Sequence, residues 1–322
     1  MAKEPESCSA FRTTIGGQAL IEGIMMLGPD KKAIVIRKPD GELEVNVEPR
    51  KAIKDRYPIL GWPLIRGVVG FGSSMINGVR ALFYSADFYP EDELAPEPSK
   101  FDLWLEKRLG NEKAASAIMG LAAVVAVCFS VFLFFLLPTF VAGLFSGLHN
   151  SALLHNLIEG VLRIIIFVGY LFLCSRMKDM RRVFSYHGAE HKSIFCYEAG
   201  LPLTVENVRR QKRHHPRCGT SFLLVVIIVS IICSSVIFTY VEWSNLWVRL
   251  GLHLLMLPLV VGISYEFNRL VGRHDNWLTR ILSAPGMWMQ NFTTFEPDDS
   301  MIEVGIEALK QVIPEESGKD TW

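Results

Sequence analysis

Two short motifs in one polar stretch hold most of the chemistry this sequence offers. His187-Gly188-Ala189-Glu190-His191 has the form H-x-x-E-H, the inverted pattern of a class of zinc peptidases. On a helix, His187 and His191 stand one turn apart on the same face, so both imidazoles reach one metal ion with Glu190 beside them. His215-Pro216-Arg217-Cys218 then places an imidazole and a thiol two residues apart. Nitrogen and thiolate sulfur are the ligands zinc prefers, and close spacing lowers the cost of ordering them. His187, His191, His215 and Cys218 together form a candidate tetrahedral set, with Glu190 as candidate general base. Four of the eight histidines (His187, His191, His214 and His215) fall in this stretch. The competing reading is a basic membrane-surface loop, its histidines set among Arg209, Arg210, Lys212 and Arg213 near lipid headgroups. Glu198 shares the helical face of the two histidines but lies about 10 Å further along, which suits a partner to the ligands better than a ligand. Arg217, inside the second motif, is a supporting or binding residue of the same kind.

A second polar group lies within apolar sequence. Glu159 and Arg163 are spaced i,i+4, and Arg249 and His253 repeat that spacing in a later apolar segment. Ionisable residues inside a bilayer face the bundle or a wet cavity. A polar lock between two spans is the expected role; a proton relay and snorkelling to the interface are the alternatives.

The elements that position these residues follow from composition. Of 322 residues, 50% are hydrophobic and 20% charged, with 33 basic against 33 acidic residues. Residues 114–158 carry no Asp, Glu, Lys or Arg, and neither do residues 220–241. Runs of this length read as membrane spans and exclude a purely soluble enzyme. Zero net charge removes the electrostatic case for nucleic acid. Six scattered cysteines form no disulfide framework. The first fourteen residues hold no apolar run, so no cleaved signal peptide is expected.

Four spans are expected, at residues 114–146 (the helix ending near Pro138), 157–174, 220–241 and 246–265. Residues 1–113 hold 16 Lys and Arg, residues 175–219 hold 10, and residues 266–322 hold 5, whereas residues 147–156 and 242–245 hold none. The positive-inside rule then places both termini and the motif-bearing stretch in the cytosol.

The expected organisation has six parts. Residues 1–56 form a small β-module, because Lys38-Pro39-Asp40-Gly41 is a turn between β-rich runs at 33–36 and 43–47, with 15–26 as a further strand. Residues 57–113 form an in-plane or re-entrant segment with an acidic, proline-rich linker. Residues 114–174 contain spans one and two, residues 175–219 the metal-binding loop, and residues 220–265 the hairpin of spans three and four. Residues 266–322 form a peripheral amphipathic region, in which Trp277, Met287, Trp288, Met289 and Phe292 touch lipid and Asp298 and Asp299 suit a helix N-terminus. The fold class is thus a mainly α-helical polytopic membrane protein with a small N-terminal β-module and a cytosolic metal-binding loop.

The segments IGGQALIEGIMMLGP (15–29), RRVFSYHGAEHKSIFCYE (181–198), LTVENVR (203–209), HPRCGTSFLL (215–224) and APGMWMQNFTTFEPDDSMIEVGI (284–306) resemble the YqhQ family. This bacterial membrane-protein family is described as predicted metal-dependent enzymes. The resemblance covers nearly the whole chain and implies a multi-pass protein of the bacterial cytoplasmic membrane with a divalent metal, zinc by ligand type, on His187, His191, His215 and Cys218. It names no substrate. Two functions remain open from sequence. One is a metal-dependent hydrolase acting on a membrane-proximal peptide, lipid or phosphoester. The other is a scaffold folded by a closed four-ligand zinc clip, which binds a protein partner in the membrane. A transporter ranks below both, because few polar residues line the spans.

Overall fold

A computed structural model describes residues 11–50, 57–89, 121, 124–144, 152–237, 246–274, 276–316 and 318–321. The chain divides into two compact units, one of residues 1–89, 168–230 and 256–322, the other of residues 90–167 and 231–255.

The larger unit begins with four strands, β1 (Gly16–Leu20), β2 (Gly23–Leu27), β3 (Lys31–Arg37) and β4 (Leu43–Pro49), in an antiparallel meander of order β1-β2-β3-β4. The anticipated hairpin pairs Val35 with Val45 and turns at Gly41, whose φ of +88° only glycine adopts easily. The run at 15–26 is not one strand but two. They are joined at Ile21-Glu22, where Glu22 has φ 50°. That strained turn is held from outside, since both Glu22 carboxylate oxygens take the Arg182 guanidinium and Oε2 also accepts from the Tyr186 hydroxyl at 3.0 Å.

Side chains alternate across the sheet as the pleat requires. Ile24, Met26, Ala33 and Val35 face a core shared with Tyr186, Ala189, Met301, Val304 and Leu309, whereas Met25, Ile34 and Ile36 face Ala81 on the other side. The helices involved are α1 (Ile65–Ala86), α4 (Lys178–Glu198) and α9 (Asp299–Lys310). Between α4 and α9 in sequence lie α5 (Val205–Arg209), α6 (Gly219–Ile237), α7 (Leu246–Arg273) and α8 (Trp277–Thr293). Thr204 caps α5 by accepting from the Asn207 amide, Gly200 (φ +67°) ends α4, and Asp298 caps α9 by accepting from the Met301 amide at 2.9 Å.

The reading of residues 266–322 as peripheral gives way here. α9 buries Met301, Ile302, Val304, Gly305, Ile306, Ala308 and Leu309, because the sheet and α4 each leave an apolar face that this helix covers. Met289, expected at lipid, is fully buried, while Trp277 and Trp288 are 73% and 55% exposed.

Among the described residues, four helices are long and apolar enough to cross a membrane: Val124–Leu144 (α2), Leu154–Arg176 within α3 (Ala152–Arg176), Gly219–Ile237, and Gly251–Arg273. Helix α2 does not stop at Pro138. It passes through a π-helical turn, Phe132–Leu136, and continues to Leu144. Proline removes one backbone donor, and a wider turn just before it accommodates the ring without ending the helix. Residues 114–120, 122–123 and 145–146 of the expected first span lie outside the described residues.

In the smaller unit, Glu159, Arg163 and His253 are all buried. Glu159 Oε1 accepts from Arg163 at 2.5 Å and from the Thr139 hydroxyl at 2.9 Å. His253 Nε2 lies 3.1 Å from Arg163 and 3.4 Å from Glu159. Three of the four expected polar residues thus meet, with Thr139 added. The Arg249 side chain lies outside the described residues.

Candidate metal centre

The centre is built on α4, in the larger unit. Gly188 and Ala189, the small residues inside the HGAEH motif, are there for close approach. A Cβ on Gly188 would lie 2.0 Å from the Phe295 carbonyl oxygen, and Gly305 of α9 packs against Ala189 and Ser193. Both histidines of the motif therefore sit under chain that arrives from the C-terminal region.

His187, His191 and Cys218 bring their ligand atoms within 4.8 Å of one another. His187 Nε2 and Cys218 Sγ are 3.2 Å apart, and the two imidazole centroids are 4.3 Å apart. Two ligands of a tetrahedral zinc, with Zn–N near 2.1 Å and Zn–S near 2.3 Å, stand about 3.5 Å apart, so this spacing suits the metal. Each ring also has an outer partner that fixes its tautomer. His187 Nδ1 donates to the Thr293 carbonyl at 2.8 Å, and His191 Nδ1 donates to the Arg213 carbonyl at 2.6 Å. Each Nε2 is thus the nitrogen turned away from these carbonyls, that of His187 toward Cys218, an arrangement typical of metal-binding histidines.

His215 stands apart from that trio. Its ring centroid lies 5.4 Å from that of His191, and both of its nitrogens are engaged elsewhere. Nδ1 accepts from the Arg217 amide at 3.3 Å, and Nε2 faces the Arg217 guanidinium at 3.2 Å and Glu198 Oε2 at 3.8 Å. Burial is the main cause that drives this imidazole down to about 4, so it is neutral. Glu198, expected as a partner to the ligands, lies instead with Arg217 and His215. It takes Arg217, His215 and the Thr13 amide (2.8 Å), and although burial opposes it, these partners hold its carboxyl below the usual range. Arg217 thus acts through Glu198 and His215.

Glu190 is buried on the same turn as the ligands, and its Oε2 has no hydrogen-bond partner among the described residues. Burial raises its carboxyl above the ordinary value, against the pull of His187, His191 and the Gly17 amide. Gly17, the second glycine of β1, finds its explanation here. A Cβ on Gly17 would lie 2.9 Å from Glu190 Cδ and 2.7 Å from the Met25 carbonyl oxygen. Around Cys218, burial pushes the thiol up, but His187 and His191 reverse it and hold it well below its normal value. Burial likewise opposes protonation of His187, yet the adjacent sulfur and Glu190 raise it to about 9. The sulfur is thus a ready thiolate, the form that binds metals.

Four contributors escaped the motif reading: Thr293, Gln290, Thr220 and Gly17. Gln290 is fully buried and clamps His215 from both sides, accepting from its amide and donating to its carbonyl, both at 2.8 Å. Thr220 Oγ1 touches Cys218 Sγ at 3.1 Å. Gln290 and Thr293 lie in QNFTT, whose polarity within an apolar stretch was the available signal.

These elements define a polytopic helical membrane protein whose β-sheet unit presents a two-histidine, one-cysteine grouping beside a buried carboxylate. The chain belongs to the family described as "Protein of unknown function (DUF1385)", whose model matches residues 62–315. It is 36% identical over 301 residues to the "Uncharacterized protein YqhQ" of Bacillus subtilis (strain 168), across 92% of each chain. No solved structure matches it.

Proposed function

We propose that this protein is a metal-dependent hydrolase of the bacterial cytoplasmic membrane, with zinc held by His187, His191 and Cys218 and Glu190 as general base. The observation that carries the reading is the ligand count: three donors converge, His215 is occupied by Arg217 and Glu198, and Glu190 keeps an unpartnered carboxylate oxygen beside them. Three protein ligands are the mark of catalytic zinc sites, and four of structural ones. That favours the hydrolase over a zinc-clipped scaffold.

A divalent cation bound there supplies Lewis-acid polarisation of the scissile group. Glu190 takes a proton from water as the water oxygen bonds to the acyl or phosphoryl centre. The bond to the leaving group then breaks, and Glu190 returns the proton to it. A carboxyl raised by burial suits both halves of that exchange. The distribution of Lys and Arg supports a cytosolic setting for this chemistry and for both termini.

The test is hydrolysis of an unfractionated substrate pool. Zinc-loaded protein is incubated with a total extract of bacterial membranes in ¹⁸O-water, and products are screened for heavy oxygen. Wild type is expected to release labelled products, and Glu190→Gln to release none while keeping its zinc. Equal labelling by both proteins contradicts the assignment of Glu190.

A further inference from the structure

We infer that Thr220 is a positioning residue for the metal–sulfur bond: its hydroxyl and its amide both donate to Cys218 Sγ and draw charge off the sulfur. The inference rests on that part of the reading above which makes Cys218 a metal ligand. Cys218 stands at the N-cap of α6, where its carbonyl accepts the first bond of the helix, from the Phe222 amide at 3.4 Å. An N-cap side chain ordinarily offers an oxygen to the amide two or three residues on. Here the acceptor is sulfur, and it takes the Thr220 amide at 3.4 Å. The Thr220 hydroxyl lies 3.1 Å from the same sulfur and 3.4 Å from the Thr293 hydroxyl.

The direction of these contacts follows from the state of the sulfur. A cysteine that ligates a metal is deprotonated and has no hydrogen to give. Thr220 is therefore the donor, and with its one hydroxyl hydrogen directed at the sulfur, its oxygen accepts from Thr293. A chain of two hydroxyls, Thr293 to Thr220, thus ends on the thiolate. Thr293 is 1% exposed, and its carbonyl is the one that holds His187. This residue of α8 supports a histidine ligand through its backbone and the sulfur ligand through its side chain.

The consequence for the metal is one of charge. Thiolate sulfur releases more electron density than an imidazole, and density passed to a metal lowers its Lewis acidity. Hydrogen bonds to a metal-bound sulfur oppose that transfer, the lever that tunes copper–thiolate and iron–sulfur centres. The partial positive charge at the start of α6 acts in the same sense. The outer bonds of the histidines push the other way. His187 and His191 donate Nδ1 hydrogens to the Thr293 and Arg213 carbonyls, which raises the basicity of their rings. Charge is thus withdrawn at the sulfur alone, and Lewis acidity is kept in a site that contains a thiolate.

Cobalt(II) in place of zinc reports on this bond through its near-ultraviolet sulfur-to-cobalt charge-transfer band, while its visible bands report the ligand number. Full-length protein in detergent is loaded with cobalt(II) as wild type, Thr220→Val, Thr220→Ser and Thr293→Val. Valine keeps the shape of threonine and removes the hydroxyl. The sulfur then becomes more electron-rich, and the charge-transfer band moves to longer wavelength with the visible bands unchanged. Thr220→Ser keeps the wild-type position. Thr293→Val, which shortens the chain by one hydroxyl, gives a smaller shift of the same sign, and it decides alone if Thr220→Val fails to take up cobalt. A band that stays in place in the valine variants overturns the role given to Thr220 and leaves the metal site standing. A serine variant that shifts as far as Thr220→Val does the same, because the hydroxyl is then not what sets the band. Wild-type protein that binds no cobalt, or binds it without a charge-transfer band, overturns this inference together with the Cys218 ligand it rests on.

Discussion

His187 and Thr293, 106 residues apart in sequence, are joined by a 2.8 Å hydrogen bond from imidazole Nδ1 to backbone carbonyl. That bond fixes which nitrogen of His187 faces Cys218, and it exists because Gly188 lets the 293–295 segment lie directly on α4. The Phe295 amide donates to the Phe184 carbonyl at 2.9 Å and anchors the segment there. Gly188→Ala forces this segment away. Loss of an outer partner of this kind weakens metal binding by about 10- to 100-fold. Competition against a chelator measures it, and unchanged zinc affinity contradicts the role given to Thr293.

The His215–Glu198–Arg217 group predicts a pH dependence in metal-free protein. The His215 imidazole is pushed by burial to about 4, below its ordinary 6.5. Between those values the unfolded chain takes a proton that the folded one refuses. The contribution of His215 is therefore complete above pH 6.5 and falls toward pH 4, by about 3 kcal/mol at 1.4 kcal/mol per unit. Glu198, held low in the fold, adds a further loss at still lower pH. Thermal unfolding in detergent from pH 8 to 4 reads the slope. His215→Asn is expected to flatten its upper part, and an equally steep curve in that variant argues that His215 is not buried neutral.

In the smaller unit, the Glu159–Arg163 pair is buried on one helix beside His253. Removing one partner of such a pair strands the other, at about 3–5 kcal/mol, whereas an apolar replacement of both is close to neutral. Arg163→Met alone is expected to destabilise strongly, and Glu159→Leu with Arg163→Met to recover most of that loss. Additive losses in the double variant contradict a charge lock between Glu159 and Arg163.

What the sequence reveals depends on the range of the interaction. Periodicity locates the 33–47 hairpin, the apolar spans and the caps at Thr204 and Asp298, because each depends on neighbours within a few residues. The HGAEH spacing brings His187 and His191 together for the same reason, whereas Cys218 reaches them across 31 residues of chain and HPRC shows only its residue type. His215 differs because its fate is set by Glu198 and Gln290, which approach from α4 and α8. Spacing shows that it could reach a metal but carries no sign of these competitors. Met289 and α9 end up inside rather than at lipid, and periodicity does not tell the two apart. An amphipathic helix shows the same pattern whether its apolar face meets lipid or protein. The glycines at 17 and 188 mark close contacts with Glu190 and Phe295, partners invisible along the chain.

A three-ligand metal site with Glu190 outside the ligand set underlies every functional statement above, and X-ray absorption at the metal edge of the purified protein examines it without intermediaries. The predicted result is one zinc per chain with two imidazole nitrogens, one sulfur and one further light atom. The spectrum and zinc content should be unchanged in His215→Ala and Glu190→Gln, and zinc should be lost in His191→Ala. Three imidazoles and one sulfur, with zinc released by His215→Ala, would contradict the three-ligand site and establish the closed structural clip in its place.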